Sequence, residues 1–316
     1  MSINEFDLIQ KYFFRNNTRN DVIIGNGDDC AIMKVPEGFE IAMSMDTLVS
    51  GVHFDNTFSP EDIGYKSLAV NLSDLAASAA EPTWVMLALT LPEVNETWLS
   101  GFQKGFFAHF EHYPMSLIGG DLTKGPLSMT IQVTGLLPKS SAILRSGARV
   151  GDRIYVTHEV GDAVLALDYL RKEKSLSSGD AEKVLQRLYR PTPRIEMGIQ
   201  LRGIATAAID ISDGLYGDLQ HILKASGVGA KIFVDQIPVS TILAAQEKSY
   251  RRETALHSGD SYELCFTATK NAILPTMSCK MTCIGEITEK LGIEIVDDDN
   301  HPFIVTGSSF MHFKEE

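Results

Sequence analysis

Cysteine is scarce in this chain, four in 316 residues, and Cys30, Cys265, Cys279 and Cys283 form no CxxC pair and have no histidine at zinc-ligand spacing. That excludes a structural zinc module and leaves reduced thiols in a cytoplasm as the expectation. Basic charge is also short: 28 Lys and Arg against 41 Asp and Glu give a net charge of −13. A nucleic-acid partner is therefore not expected, because phosphate backbones are bound through a basic footprint. No stretch approaches the roughly 18 uninterrupted apolar residues of a membrane helix, and the start, MSINEFDLIQKYF, mixes acid, base and aromatics where a signal peptide has an apolar block. We expect a cytoplasmic protein with no membrane partner. The common phosphate and metal signatures are missing too. There is no GxxxxGK[ST], no kinase glycine-rich loop with its HRD and DFG partners, and no HExxH. The acidic run VDDDN at 296–300 lacks the glycine and the distal glutamate of an EF-hand and reads as a solvated turn.

What is present is a 44% hydrophobic, globular composition long enough for two cores. FEIAMSMD (39–46) reads as a strand ending on Asp46. A helix opens near Pro60 and is closed by Pro82, with Leu68, Leu72, Leu75 and Ala79 on one face. VMLALTLP is a strand, about 96–112 a helix, and LSMTIQVTGLLP a half-buried strand. After Pro138 the polar, glycine-bearing KSSAILRSGARVGD marks a boundary, so we place domains at 1–138 and 139–316. The second half offers the strands RIYVT, AAIDIS, KIFV, YELCFTAT and CIGEIT, a helix from about 160 and the helix GLYGDLQHILKAS. The class is mixed α/β (α+β), without tandem repeats.

One device recurs: an aspartate at the end of an apolar strand or inside an apolar helix. Asp28 and Asp29 follow a glycine turn in GNGDDCAI, Asp46 follows FEIAMSM, Asp121 closes LIGGD, and Asp210 and Asp213 sit in AAIDISDG. Ser67, Asn71, Asp74 and Ser78 make a polar stripe beside the apolar face of the first long helix. Singly, such aspartates are turn or helix caps. Two carboxylates about 4 Å apart repel by roughly 4 kcal/mol at an effective dielectric near 20, so a converging set requires cations. All-oxygen ligands select hard ions such as Mg²⁺, which in enzymes commonly bridges carboxylates to substrate phosphates.

GNGDDCAI, MSMDTLVSGVHF, YKSLAVNLSDLAASAAEP, LIGGDLTKGPLSMT, LRSGARVGD, AIDISDGLYGDL, SGDSYELCFT and CIGEIT run along nearly the whole chain. In order and spacing the set resembles the bacterial thiamine-monophosphate kinases, in the superfamily that includes aminoimidazole ribonucleotide synthetase and selenophosphate synthetase. The resemblance implies that superfamily's two-domain fold: an N-terminal ATP/Mg-binding and dimerisation domain, and a C-terminal α/β domain completing the nucleotide and substrate sites. It implies Mg²⁺-dependent, in-line transfer of the ATP γ-phosphoryl group to thiamine phosphate, the last step of thiamine diphosphate formation, in a homodimer with several Mg²⁺ ions. Carried over by position, Asp29, Ser44, Met45, Asp46, Asp74, Asp121, Asp210 and Asp213 look like metal positions, with Met45 replacing a more usual threonine. Gly120 and Asp121 in a GGD turn, Arg145 and Ser212 resemble the ATP contacts, and His53, Asp260 and Phe310 the substrate contacts. Asp260–Ser261 replaces the family's Glu-Asp, and one glycine of that motif has become Ser258. No residue is expected as a nucleophile or general base, since the attacking phosphate is already anionic. Two other readings remain open at this point: an ATP-dependent synthase of the same superfamily, and a non-catalytic nucleotide sensor.

Overall fold

The structure is a computed structural model describing residues 4–15 and 19–307. It divides into two compact units, Met1–Leu75 with Ala80–Ser140, and Ala76–Ala79 with Ser141–Glu316.

In the first unit α1 (Glu5–Leu8) starts from a capping box on Asn4 and runs into a π-helical turn, Ile9–Phe13. β1 (Val22–Ile24) and β2 (Ile32–Met33) pair as a short antiparallel ribbon. There follow β3 (Phe39–Val49), α2 (Pro60–Ala77), β4 (Glu81–Leu91), α3 (Glu96–Ala108), β5 (Ser116–Lys124) and β6 (Ser128–Pro138). The four long strands form one sheet in the order β3-β6-β4-β5, with only β4 and β5 parallel. Alternation along the strands separates its faces. Leu48, Met129, Ile131, Val133, Val85 and Leu89 are buried on one face, as are Leu68, Leu72 and Leu75 of α2. On the other face Ile41, Met43, Met45 and Met86 are 47%, 66%, 61% and 40% exposed.

Three expectations change here. β3 does not stop at Asp46; it pairs with β6 through Val49, so Asp46 is a mid-strand residue. α2 does not run to Pro82. It begins as expected, Pro60 in its first position and Ser59 accepting the Asp62 N–H while donating to the Asp62 carboxylate. It ends at Ala77, where Ala79 is left-handed (φ 60°), its N–H donating to Ala76 and that of Ala80 to Leu75. This is a Schellman close built on alanine, so the sequence carried no glycine to mark it. Pro82 lies inside β4, beside a register shift and before β4 meets β5, where a missing N–H is tolerated. Third, Gly120 and Asp121 are not in a turn but in β5, paired with Leu87 and Ala88. Glycine is needed there because a Cβ on residue 120 would lie 1.9 Å from the Leu87 carbonyl oxygen.

The second unit contains β7 (Arg153–Thr157), α4 (Asp162–Leu170), α5 (Ser178–Tyr189), α6 (Ile195–Gln200), β8 (Ala205–Asp210), α7 (Leu215–Ser226), β9 (Gly229–Phe233), α8 (Thr241–Ala244), α9 (Lys248–His257), β10 (Leu264–Ala268), β11 (Met281–Thr288) and β12 (Gly292–Val296). The sheet order is β12-β9-β11-β7-β10-β8, antiparallel except between β9 and β12. Ile154, Val156, Ile209, Ile232, Cys265 and Ile284 pack in one core with Leu219 and Ile222 of α7. The Arg252 guanidinium forks onto Asp235, Arg251 lies 3.4 Å and Lys248 3.7 Å away, and the Asp235 carboxyl is held down at about 2, mainly by the Arg252 hydrogen bonds. A depressed carboxylate stabilises above its unfolded value, near 4, and that stability is lost as pH falls towards 2. Asp235→Asn is therefore expected to cost about 2 kcal/mol at pH 7, with the gap to the parent narrowing as unfolding is measured from pH 4 downwards.

Candidate functional site

In the first unit the chemistry gathers where β3 faces α2. The Ser44 hydroxyl donates to Asp74 Oδ2 at 2.5 Å, joining strand to helix. The Asp46 N–H donates to Asn71 Oδ1 at 3.0 Å. Asn71 is itself fixed, its amide donating to the Ser67 carbonyl at 3.0 Å, while the Ser67 hydroxyl donates to the Gly64 carbonyl. The polar stripe thus divides: Ser67 and Asn71 are fully buried and hold the backbone, while Asp74 and Asp46 remain partly accessible. Asn71 belongs to the site as the clamp on Asp46. Its signal was its place in the stripe one turn from Asp74.

Met45, between them on β3, faces the other way and is 61% exposed. Its side chain therefore cannot act with those of Ser44 and Asp46. His53 follows in a tight turn, its Nδ1 accepting the Val49 N–H at 3.0 Å. An accepting Nδ1 places the ring proton on Nε2, which is then a donor. Asp28 and Asp29 lie exposed in the loop joining β1 to β2, and the Asp28 carboxylate accepts the Asp29 N–H at 2.8 Å. The first aspartate therefore caps the turn that presents the second. Asp121 lines up through Ala88 and Thr130 with Thr47, on the face away from Asp46. Sequence grouped these carboxylates, but the sheet divides them between its faces.

In the second unit β8 delivers a buried Asp210 to a loop, Ile211–Gly214, that is pinned on both sides. The N–H groups of Ser212, Asp213 and Gly214 all donate to Asp218 Oδ2, at 3.0, 3.1 and 3.1 Å. Burial pushes the Asp218 carboxyl up to about 7, against those hydrogen bonds, with the charge of Asp213 adding to the rise. On the other side the Ser212 carbonyl accepts the Asp260 N–H and the Ile211 carbonyl the Tyr262 N–H, both at 2.8 Å. Asp260 and Tyr262 are left-handed (φ 57° and 50°), and the Tyr262 hydroxyl donates to Asp260 Oδ1 at 3.0 Å. Non-glycine residues in this conformation store strain that the surrounding bonds must hold. The glycine-to-serine change at Ser258 is harmless to the backbone, since its φ is −67°. Gly259 is the position that needs glycine, because a Cβ there would lie 2.7 Å from the Ser212 carbonyl oxygen.

Behind this loop Arg194 forks onto Glu263, which also accepts the Thr157 hydroxyl at 2.6 Å and is 2% exposed. Arg145 is exposed, on a loop whose Gly147 and Ala148 N–H groups donate to Ser226 Oγ at 3.1 and 3.2 Å. Sequence reasoning passed over Asp218, Glu263, Arg194 and Ser226. Asp218 and Glu263 stand inside the motifs already singled out, but spacing alone did not tell a loop's anchor from its display. Phe310 lies outside the described residues.

Among the described residues, one group of acidic or histidine side chains brings three ligand atoms within 4.8 Å: Asp297, Asp299 and His301. It is the VDDDN turn, in which Asp297 Oδ1 accepts the Asp299 and His301 N–H groups. The expected metal positions do not form such a group, but their chemistry is consistent. They offer carboxylate, hydroxyl and carbonyl oxygen and no sulfur or imidazole, a donor set that fits Mg²⁺.

Residues 27–137 match the family described as AIR synthase related protein, N-terminal domain, and residues 149–298 match its C-terminal domain counterpart. The thiamine-monophosphate kinase of Salmonella typhimurium is 46% identical over 323 residues, 99% of each chain. The crystal structure of thiamine-monophosphate kinase from Stenotrophomonas maltophilia superposes with a TM-score of 0.84 at 39% identity, covering 93% of this chain and 97% of that one. The solved structure of AaThiL complexed with AMPPCP and TMP gives a TM-score of 0.78 at 30% identity, covering 89% of both chains. With full-length identity, both domain matches and the fold in agreement, this chain belongs to the thiamine-monophosphate kinase family.

Proposed function

We propose that this protein transfers the γ-phosphoryl group of ATP to the phosphate of thiamine phosphate, giving thiamine diphosphate and ADP, in the cytoplasm. The observation that carries the reading is the oxygen-rich join of β3 and α2, where Ser44, Asp46 and Asp74 are brought to one face and Asn71 holds the strand in place. AaThiL, 30% identical, is the relative solved with AMPPCP, an ATP analogue, and TMP. Asp29, Ser44, the Met45 carbonyl, Asp46, Asp74, Asp121, Asp210 and Asp213 would hold Mg²⁺. Bound there, Mg²⁺ offsets the charge of the phosphates and helps to align them.

The protein's own groups do the rest by positioning. Gly120, Asp121, Arg145 and Ser212 contact ATP, and the Arg145 guanidinium suits a phosphate through two parallel N–H donors. His53 presents Nε2–H as a neutral donor, suited to the acceptor phosphate. Asp260, with Phe310 from the end of the chain, suits the cationic thiazolium and aminopyrimidine of thiamine. The acceptor oxygen is already anionic, so no side chain has to remove a proton from it. Cys30 is exposed and serves no step. Cys30→Ala is expected to keep kcat and both KM values within about twofold of the parent, because it removes an exposed thiol and leaves the neighbouring Asp29 carboxylate unchanged.

The domain at 1–138 supplies the first set of ATP and metal residues and the dimer contact, and that at 139–316 supplies Arg145, Asp210, Ser212, Asp213 and Asp260. A homodimer is supported by the exposed row Ile41, Met43, Met45 and Met86, an apolar strip on a sheet face that a second copy would cover. Asp121 stands on that same face, so the nucleotide contacts it makes would fall at the seam between copies.

The test is to incubate the protein with ATP, Mg²⁺ and thiamine phosphate and follow thiamine diphosphate by chromatography. Stoichiometric thiamine diphosphate and ADP support the reading. Binding of Mg²⁺ and ATP without product would replace it with the sensor reading. Sedimentation giving twice the 34.7 kDa chain mass would support the dimer, and a single chain mass would remove it.

A further inference from the structure

Three adjacent amides at the start of a helix form a ready receptor for an anion, here a loop of Ser212, Asp213 and Gly214 leading into α7. In this protein the receptor is filled from within. Asp218, in the first turn of α7, turns its carboxylate back so that one oxygen accepts all three N–H groups, at 3.0–3.1 Å. Asp218 is 3% exposed, so this contact is a buried fixture of the fold. Two consequences follow. The helix start is closed to a phosphate, whose charge must be met by side chains and cations. The backbone carrying the Ser212 and Asp213 side chains is held before any ligand arrives. The Ser212 carbonyl is bound in turn to the Asp260 N–H, so one peptide joins the two loops.

We propose that Asp218 is a positioning residue for the nucleotide, acting by where its oxygen sits rather than by its charge. The proposal rests on the reading of Ser212 and Asp213 as nucleotide and metal contacts. It orders two substitutions oppositely to a purely electrostatic role, and the thermal midpoint read beside binding separates it from a purely structural one. Asp218→Asn keeps an acceptor oxygen at the same reach without the charge. Asp218→Glu keeps the charge but displaces the oxygen by one methylene.

The experiment measures the Kd of Mg²⁺–AMPPCP by calorimetry, the KM of thiamine phosphate and the thermal midpoint for both variants, with Ser212→Ala and Asp213→Asn as controls. Asp218→Glu is expected to weaken AMPPCP binding by about tenfold or more and Asp218→Asn by less than about threefold, with the thiamine phosphate KM less affected than the nucleotide Kd in both. Equal losses in the two variants, or a larger loss in Asp218→Asn, would overturn the proposal. So would binding that is unchanged in Asp218→Glu while its thermal midpoint falls, since that is what a merely structural residue does. If the two controls bind AMPPCP as the parent does, the assignment of the loop to the nucleotide fails. If they weaken binding and Asp218→Glu does not, the positioning role alone fails.

Discussion

Asp46→Asn is expected to reduce phosphoryl transfer by about 10²-fold or more at saturating ATP, with little change in folding. The two halves of that outcome have separate causes. The contact that holds residue 46 in place runs from its backbone N–H to Asn71, and an asparagine at 46 keeps it. What is lost is one negative charge from the group Ser44, Asp46 and Asp74, where strand and helix are already joined by the 2.5 Å Ser44–Asp74 bond. Asparagine offers a neutral oxygen, a poorer ligand for a hard cation. Steady-state rates with both substrates saturating, beside a thermal melt of the same preparation, check it. An Asp46→Asn protein with parental kcat would remove Asp46 from the metal positions.

Arg194→Met should produce the largest loss of stability, about 3–5 kcal/mol. Glu263 is 2% exposed and takes both arms of the Arg194 guanidinium, so deleting the cation strands a buried carboxylate that the neutral Thr157 hydroxyl cannot balance. The Ile211 N–H donates to the Glu263 carbonyl, so the disturbance is expected to reach the loop that carries Ser212. Urea unfolding followed by circular dichroism measures the effect. Adding Glu263→Gln to Arg194→Met should recover at least half of the loss, because the unpaired charge is then gone. An Arg194→Met protein that unfolds at the parental urea midpoint would show that the pair contributes nothing to the fold.

The elements with strong period or punctuation were legible in the sequence. β6, β7, α7 and β11 fall where alternation or helical spacing placed them. α5, α6, α8, α9, β5 and β12 did not emerge, and their reasons differ. α8 and α6 are four and six residues long, too short for a period to build up. β5 carries Gly119–Gly120, which reads as a turn, and the need for glycine there comes from the neighbouring Leu87 carbonyl, a contact that no local pattern reports. Among the site residues, the side chains we propose as ligand contacts were the readable ones. Those that hold them, Asn71, Asp218, Ser226 and the Glu263–Arg194 pair, are defined by partners far away in the chain or by a hydrogen bond turned back on the helix that bears them.

The Ser212 peptide, fastened through its N–H to Asp218 and through its carbonyl to the Asp260 N–H, also sets how this region can change over time. Both fastenings use main-chain atoms on the loop's side, so they are indifferent to which side chains the loop carries. They depend instead on the number of residues between β8 and α7. Side chains at 212, 213, 260 and 261 are thus open to exchange for new substrates. A single insertion or deletion within 211–214 would put the wrong amide opposite Asp218 and undo the loop, whereas exposed segments such as 171–175 can lengthen at little cost. A library meant to redirect the enzyme should vary identity in this loop and hold its length constant.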